Sequence, residues 1–304
     1  MSAVTARALV VGAGISGAAC ARVLRAAGID VTVVERGRAV GGRLASPELH
    51  GRRVDIGAAY FTVSDDGFAD MVDDWSSRGL VREWTDTLDV FGACGRTSAT
   101  GPIRFATNGG LRSLAADLHS DVALQHELST LPDGYDVTVL AMPDPQAAQL
   151  VGDAIDWVEY APVIAAVAGF AERTWDLDAA FVNDHPTLAV IADDGARRGD
   201  GAPVLVLHTT PDLARAHLDD IEDAVAPAVD AARDLLGIDA VPQWTHAHRW
   251  RFAKPTGTHG DAAFWLDGSL GVCGDSWCPS GAPRVEAAWL SGHRLGTEIV
   301  RRLT

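Results

Sequence analysis

The strongest indicator of the fold is the segment Ala8-Leu9-Val10-Val11-Gly12-Ala13-Gly14-Ile15-Ser16-Gly17, which places a GxGxxG pattern directly after an apolar, strand-like run. A helical pattern follows to about residue 27, Gly28 marks its end, and a second apolar run occupies residues 30–34. This order predicts a βαβ unit. In such a unit the first glycine permits the tight turn, the second lets backbone approach a pyrophosphate, and the third lets helix and strand pack closely.

An acidic residue follows this unit at the distance expected of a nucleotide site. Glu35 closes the second apolar run, 18 residues beyond Gly17, where about 20 is typical for the acid that binds ribose hydroxyls. A diphosphate would lie at the helix N-terminus, whose free N–H groups favour anions, with Ser16 as a further donor. The Glu35 carboxylate would repel a 2′-phosphate. The alternative interpretation is a glycine-rich turn with an incidental glutamate.

Two more segments extend the pattern. Gly41-Gly42-Arg43 is too far along the chain to share the first turn, so its glycines let a second backbone segment approach a cofactor, and Arg43 suits phosphate. Gly274-Asp275 ends a buried-strand pattern and suits a ribityl chain or a water bridge to phosphate. The next helix would direct its N-terminus at a flavin, where it stabilises the anion formed on reduction. The ordered set predicts FAD, bound noncovalently, rather than NAD.

Composition narrows the functional class. The chain has 304 residues, 47% of them hydrophobic, which is enough for one large domain or two ordinary ones. A net charge of −16 excludes generic electrostatic binding to nucleic acid or an anionic membrane. The four cysteines show no CxxC pair or zinc-like spacing, which predicts reduced thiols, no metal site and a cytoplasmic location. The glycines in residues 9–21 argue against a signal peptide, and no other run predicts a membrane span.

The predicted fold class is α/β, with a Rossmann-type FAD-binding domain and a second, smaller substrate domain built on a mixed or antiparallel sheet. The FAD-binding domain is assigned residues 1–61, 103–150 and 262–304, and the substrate domain residues 62–102 and 151–261. Strands are expected at 7–11, 30–34, 80–91 (as short pieces), 122–124, 137–141, 163–171, 188–192, 203–208, 242–252 and 269–273. Helices are expected near 15–27, 67–78, 111–118, 219–236 and 283–302. The strands at 122–124 and 137–141 are predicted to be buried.

At this point the sequence resembles the FAD-dependent amine oxidase superfamily and, within it, the bacterial renalase-like proteins. The superfamily resemblance rests on residues 8–61 and on Gly274-Asp275. The narrower resemblance rests on the segments Asp55-Ile56-Gly57-Ala58-Ala59-Tyr60-Phe61, Glu83-Trp84, His248-Arg249-Trp250, Cys273-Gly274-Asp275-Ser276-Trp277-Cys278 and Arg284-Val285-Glu286-Ala287-Ala288-Trp289-Leu290-Ser291-Gly292. These segments reach from near the start of the sequence to near its end.

The resemblance implies a flavoprotein oxidase that takes a hydride from a small reduced substrate, with O2 reoxidising the flavin to give H2O2. For renalase-like proteins it implies aberrant dihydronicotinamide isomers of NAD(P)H as substrates. The sequence departs from its relatives at Ala59, Ser276, Ala282-Pro283 and Ala287. Two alternatives therefore stay open: a flavin amine oxidase or desaturase acting on another small molecule, and a non-catalytic flavin-binding scaffold or redox sensor.

Candidate site residues follow from the motifs and the resemblance. The candidates for the reacting side are Tyr60, His248, Trp250 and Trp277, for each of which ordinary core packing is the alternative. The candidates for binding the cofactor are Gly12, Gly14, Ile15, Ser16, Gly17, Glu35, Arg36, Gly42, Arg43, Gly57, Ala58, Leu128, Gly274, Asp275 and Val285. The expected partners are a small-molecule substrate, either a dihydropyridine nucleotide or an amine, and O2, with no nucleic acid and no membrane.

Overall fold

The computed structural model describes residues 5–282 and 284–303. The strands are, in chain order, β1 Arg7–Val11, β2 Asp30–Glu35, β3 Glu48–Leu49, β4 Arg52–Arg53, β5 Arg82–Gly92, β6 Gly95–Ala106, β7 Ala123–Leu124, β8 Val137–Leu140, β9 Tyr160–Gly169, β10 Ala179–Val182, β11 Leu188–Asp193, β12 Val204–Thr209, β13 Trp244–Pro255, β14 Trp265–Asp267 and β15 Leu270–Val272. The helices are α1 Ile15–Ala26, α2 Asp66–Ser77, α3 Arg112–Leu118, α4 Asp144–Val151, α5 Asp194–Arg198, α6 Pro211–Ala216, α7 Val225–Leu236 and α8 Val285–Leu303. In this part of the chain no helix combines the length and apolar character needed to cross a bilayer.

The first sheet is the predicted Rossmann-type sheet. Its order is β14-β15-β8-β1-β2-β7, and β1 runs parallel to both β2 and β8. The apolar runs form strands here because both faces are covered: α1 and α8 pack on one face, and α4 packs on the other. The α/β class and the βαβ unit predicted from the sequence are confirmed.

Helices α1 and α8 cross at close range because of two glycines. A Cβ at Gly292 would lie 1.9 Å from the carbonyl oxygen of Ser16, and one at Gly296 would lie 3.1 Å from that of Cys20. Any larger side chain at Gly292 would force the helices apart. The crossing fixes the C-terminal helix against the helix that follows the GxGxxG loop.

The second sheet is mixed, as expected. Its order is β13-β9-β12-β11-β10-β5-β6, with β10 parallel to β5 and the other neighbours antiparallel. Helix α7 packs on one face. The opposite face packs on the segment from Ala45 to Ile56, through Ala165, Val167, Val204 and Val206. This segment, which follows Gly41-Gly42-Arg43 in the chain, therefore packs on the second sheet.

Two element predictions were wrong. The strand predicted to be buried at 122–124 is reduced to β7, whose two residues are exposed at the sheet edge, with Leu124 42% exposed. The short strand pieces predicted at 80–91 form one strand, β5, of 11 residues. Its partner β6 was not predicted, since residues 95–103 are exposed and lack the apolar alternation of a half-buried strand.

Helix α2 packs with the helices of the first sheet. Phe68, Met71 and Trp75 share a core with Leu111 and Leu114 of the α3 region and with residues of α1 and α8. A domain boundary at residue 62 would separate this helix from the residues that bury it. We therefore keep the two-domain division as a proposal but place this boundary near residue 80.

Candidate active site

The first glycine loop is closely packed at two of its glycines and open at the third. Gly12 has φ +109°, and a Cβ there would lie 2.3 Å from the carbonyl oxygen of Ala141. A Cβ at Gly17 would lie 2.1 Å from the carbonyl oxygen of Gly12. Gly14 is the opposite case: among the described residues nothing lies within 4 Å of its Cβ position. Gly12 and Gly17 thus serve packing, whereas Gly14 leaves open space at the N-terminus of α1.

The second glycine pair lies directly beside this loop. The N–H of Gly41 donates to the carbonyl oxygen of Ala13 at 2.8 Å, and Gly41 forms an isolated bridge with Gly14. Gly42 has φ +51°, and its Cβ position is 3.5 Å from the Cα of Gly14. Two backbone segments that the sequence separates by a whole strand therefore border the same open space.

Glu35 faces the loop as well. Its Oε2 accepts from the N–H of Ala13 at 2.9 Å, and its Oε1 accepts from that of Gly37 at 2.7 Å. Leu128 packs among the apolar residues on one face of the first sheet. Arg36 points outward: its side chain is 57% exposed and is 4.0 Å from Glu127. A role for Arg36 or Leu128 at the cofactor stays a prediction.

Arg43 and Asp275 form a bidentate ion pair, with both N–O distances at 2.6 Å. The sequence predicted both at the cofactor but did not predict their pairing. Burial opposes the charge on Arg43, yet the adjacent Asp275 carboxylate raises the pKa of Arg43 above its usual range. The Tyr160 hydroxyl also donates to Asp275 Oδ1, at 3.1 Å. Burial, followed by the charge of Asp275, raises the pKa of Tyr160, so its hydroxyl keeps its proton.

The segment after Asp55 connects this pair to β13. A Cβ at Gly57 would lie 1.9 Å from the carbonyl oxygen of Arg43, which also accepts from the N–H of Ala58 at 2.9 Å. The indole N–H of Trp250 donates to the carbonyl oxygen of Ile56 at 2.8 Å. Gly57 is therefore required for the close contact between the segment and Arg43, and Trp250 holds the segment to the second sheet.

His248 and Trp250 lie on the face of β13 that meets this segment, with ring centroids 4.4 Å apart. Sequence analysis missed His208 on β12. Both His208 and His248 pair with Ala165 of β9, so the two imidazoles flank a small residue on one face. Burial, and next the charge of Arg197, lowers the pKa of His208 to about 4. Burial also lowers the pKa of His248. Only the register of the sheet reveals this pairing.

Tyr60 lies at the other end of the segment, beside arginines. The Arg104 guanidinium carbon is 5.4 Å from the centre of the Tyr60 ring. Arg197 is fully buried and donates to the carbonyl oxygens of Ala59, at 3.1 Å, and of Asp55, at 2.9 Å. Cationic groups therefore line the neighbourhood of Tyr60.

A buried ionic network anchors the segment 55–60 at its first residue, Asp55. Asp55 pairs with Arg198 at 2.9 Å, and Asp194 pairs with Arg52 at 2.6 Å and with Arg197. Burial opposes ionisation of Asp194, but the three arginines lower its pKa. Because these residues come from distant parts of the chain, no local sequence pattern predicted the network.

Trp277 lies apart from this group. It is 3% exposed, packs in an apolar cluster on the first sheet, and stacks on His259 with ring centroids 3.6 Å apart. His259 in turn contacts the buried Asp144 at 2.6 Å. The structure thus places Trp277 in the apolar core on the first sheet, with its backbone N–H 3.3 Å from the carbonyl oxygen of Gly274, and its contact with substrate stays a prediction.

Helix α8 contacts Gly274 through Ser291, which lies in the second turn of the helix. The N–H of Gly274 donates to Ser291 Oγ at 3.1 Å. Val285 is the first residue of α8, and Glu286 accepts from Ser64 and Asp65 ahead of α2. Of the sequence departures here, Pro283 lies outside the described residues. Ala287 is buried in the first turn of the helix.

Comparisons with known proteins agree with this geometry. Residues 10–75 match the model of the NAD(P)-binding Rossmann-like domain. The chain is 24% identical to renalase of Mus musculus over 302 residues, which covers 84% of this chain and 87% of renalase. The fold is similar to that of cyclohexylamine oxidase from Brevibacterium oxydans IH-35A, with a TM-score of 0.76, 14% identity, and coverage of 99% and 100%. It is also similar to putrescine oxidase, with a TM-score of 0.74, 16% identity, and coverage of 98% and 100%.

The chain is thus similar to renalase over most of its length, has the fold of cyclohexylamine oxidase and putrescine oxidase, and matches a Rossmann-like dinucleotide-binding domain at residues 10–75.

The residues present fit an FAD. The open space at Gly14, the free N-terminus of α1 and the second glycine pair suit a diphosphate. Asp275 suits a polyol chain, because a carboxylate accepts hydrogen bonds from hydroxyls.

Proposed function

We propose that this protein is an FAD-dependent oxidase that takes a hydride from a small reduced substrate, most specifically an aberrant dihydronicotinamide isomer of NAD(P)H. The observation that carries the proposal is that Gly14, Gly42, Glu35 and the Arg43–Asp275 pair converge at the carboxyl edge of the first sheet. The likeness to mouse renalase over most of both chains supports the narrower substrate class.

Each cofactor residue has a proposed role. The amides of Ile15 and Ser16 would bind the diphosphate at the N-terminus of α1, and Glu35 would bind ribose hydroxyls. Asp275 would accept from the ribityl chain. Val285 would present the N-terminus of α8 to the flavin, where the helix dipole favours negative charge. None of these contacts requires a covalent bond to the protein.

An FAD held by these residues would supply the hydride acceptor, and O2 would take up the two electrons. The balance is one neutral dihydropyridine, one O2 and one proton giving one pyridinium cation and one H2O2. The chain itself would orient the substrate ring. Trp250 and Tyr60 offer aromatic faces for a flat ring, and His248, whose pKa is lowered by burial, is neutral at pH 7 and suits hydrogen bonding to an uncharged substrate.

A flavin amine oxidase is the second candidate, favoured by the folds of cyclohexylamine oxidase and putrescine oxidase. The charge of Arg104 weighs against it, because this guanidinium beside the Tyr60 ring would repel an ammonium group.

Two measurements test the proposed function. The cofactor released from purified protein is identified by mass, and H2O2 release is followed with a panel of dihydronicotinamide isomers and amines. The proposal expects FAD, and H2O2 with at least one dihydronicotinamide isomer. Recovery of NAD instead of FAD, or H2O2 from amines alone, would overturn it.

A further inference from the structure

The Tyr160 hydroxyl is the one donor from the second sheet in contact with Asp275, within the residues that the structure describes. It comes from the first residue of β9, 115 positions before Asp275 in the chain. Its ring lies under Arg43, whose guanidinium carbon is 5.5 Å from the ring centre, and packs edge-on against Phe252. Tyr160 therefore contacts both members of the ion pair.

The hydrogen-bonding capacity of Asp275 is nearly filled by these contacts. An ionised carboxylate has about four acceptor positions. Arg43 Nη2 and the Tyr160 hydroxyl occupy Oδ1, and Arg43 Nη1 occupies Oδ2. Among the residues that the structure describes, no donor takes the second acceptor position on Oδ2. Because three hydrogen bonds fix the orientation of the Asp275 carboxylate, its fourth acceptor position points in one direction only.

Ser276 gives Tyr160 a second neighbour. Its hydroxyl donates to Oδ1 of the buried Asp144 at 2.7 Å, so its only proton is already used. Burial raises the pKa of Tyr160, and a smaller effect, hydrogen bonding with Ser276, lowers it. Each hydroxyl thus donates to its own carboxylate, and the Tyr160 proton is directed to Asp275. This gives Ser276, one of the sequence departures, a place in the arrangement.

We propose that Tyr160 is a positioning residue for the cofactor, which holds Asp275 so that its remaining acceptor position meets one ribityl hydroxyl of FAD. The inference rests on the FAD binding put forward under the proposed function. It adds to that function a residue from the second sheet that acts through Asp275 and not by direct contact with FAD.

The experiment compares Tyr160→Phe with a matched control, Tyr135→Phe. Tyr135 also lies under an arginine, with the Arg7 guanidinium carbon 5.0 Å from its ring centre, but away from Asp275. The Kd of FAD is measured on the holoprotein by the fluorescence of flavin released on dilution. Loss of a hydrogen bond to a charged group predicts a rise of about ten-fold in Kd for Tyr160→Phe. The control should stay within about two-fold.

A double-mutant cycle separates positioning from a general loss of stability. In an Asp275→Ala background, or in Asp275→Asn if the alanine variant does not fold, Tyr160→Phe should change the Kd by less than about three-fold. An equal effect in both backgrounds, or no effect of Tyr160→Phe on the wild-type protein, would overturn the inference while leaving FAD binding intact. If purified wild-type protein contained no FAD, the proposed function itself would be overturned.

Discussion

The indole N–H of Trp250 donates a 2.8 Å hydrogen bond to the carbonyl oxygen of Ile56, 194 residues earlier in the chain. Ile56 precedes Gly57, whose Cα approaches the carbonyl oxygen of Arg43 so closely that a Cβ would not fit. Through this bond the aromatic strand of the second sheet holds the backbone that borders the proposed cofactor site.

Replacing Trp250 with Phe should therefore lower both the free energy of unfolding and the rate of flavin reduction. The ring packing is largely kept, but Ile56 loses its donor, which costs about 1 kcal/mol in the free energy of unfolding. The rate of flavin reduction should fall as well, because the 55–60 segment is released. The control is Trp157→Phe, which loses a 2.8 Å bond to Gly152 in an exposed position. It should change stability by less than about 0.5 kcal/mol and leave the rate unchanged. Equal effects of the two substitutions would contradict this assignment.

Substitutions at two glycines of the first loop should have different effects, one on FAD binding and the other on the stability of the fold. Gly14→Ala adds a methyl group to open space, so the protein should fold normally but bind FAD at least about ten-fold more weakly, as the methyl group occupies the proposed phosphate position. Gly17→Ala places a Cβ against Gly12 and should destabilise the fold itself. Thermal melts and flavin content of both variants provide the check. Normal flavin content in Gly14→Ala would argue against a diphosphate at this loop.

Much of the first sheet could be predicted because its signals are local. The glycines, the apolar run and the acid at residue 35 all lie within one βαβ unit, so local patterns predict that these residues lie around the first glycine loop. The second glycine pair was likewise recognised from its residues alone. These predictions depend on short-range sequence patterns, which are the same however the rest of the chain folds.

The parts that could not be predicted depend on long-range contacts. The Arg43–Asp275 pair, the bond from Tyr160 and the network around Asp194 each join residues far apart in sequence. His208 shares a face with His248 only through the register of β9 with its two neighbours. Strand β6 was missed because its exposed residues lack apolar alternation.

His248 and His246 offer a matched pair on one strand face. His248 lies beside Trp250, whereas His246 is two residues earlier in β13, opposite Val167. We expect His248→Ala to lower kcat/KM by about ten-fold or more, in line with the loss of a positioned polar group. His246→Ala should stay within about two-fold. Steady-state kinetics with the best substrate measures both, and the reverse ranking would remove His248 from the site.

The buried His208 predicts a pH dependence of stability. Its folded pKa, about 4, lies below the ordinary value of 6.5. Between these values the unfolded chain binds more protons, so stability is retained above pH 6.5 and lost as the pH falls towards 4. The loss attributable to His208 is at most about 3 kcal/mol.

Urea unfolding of wild type and His208→Gln at pH 7 and pH 5 tests this prediction. Other histidines with lowered pKa values, such as His119, remain in both proteins and cancel in the comparison. The variant should lose less stability than wild type on acidification. Identical losses would mean that His208 is not held neutral by burial.

The most direct test of the central claim is anaerobic rapid mixing of the holoprotein with dihydronicotinamide isomers and with amines, followed by the flavin absorbance. The account predicts that at least one aberrant dihydronicotinamide isomer bleaches the flavin in a single fast phase, and that O2 restores the absorbance with release of H2O2. Bleaching by an amine, with every dihydronicotinamide isomer inert, would contradict it.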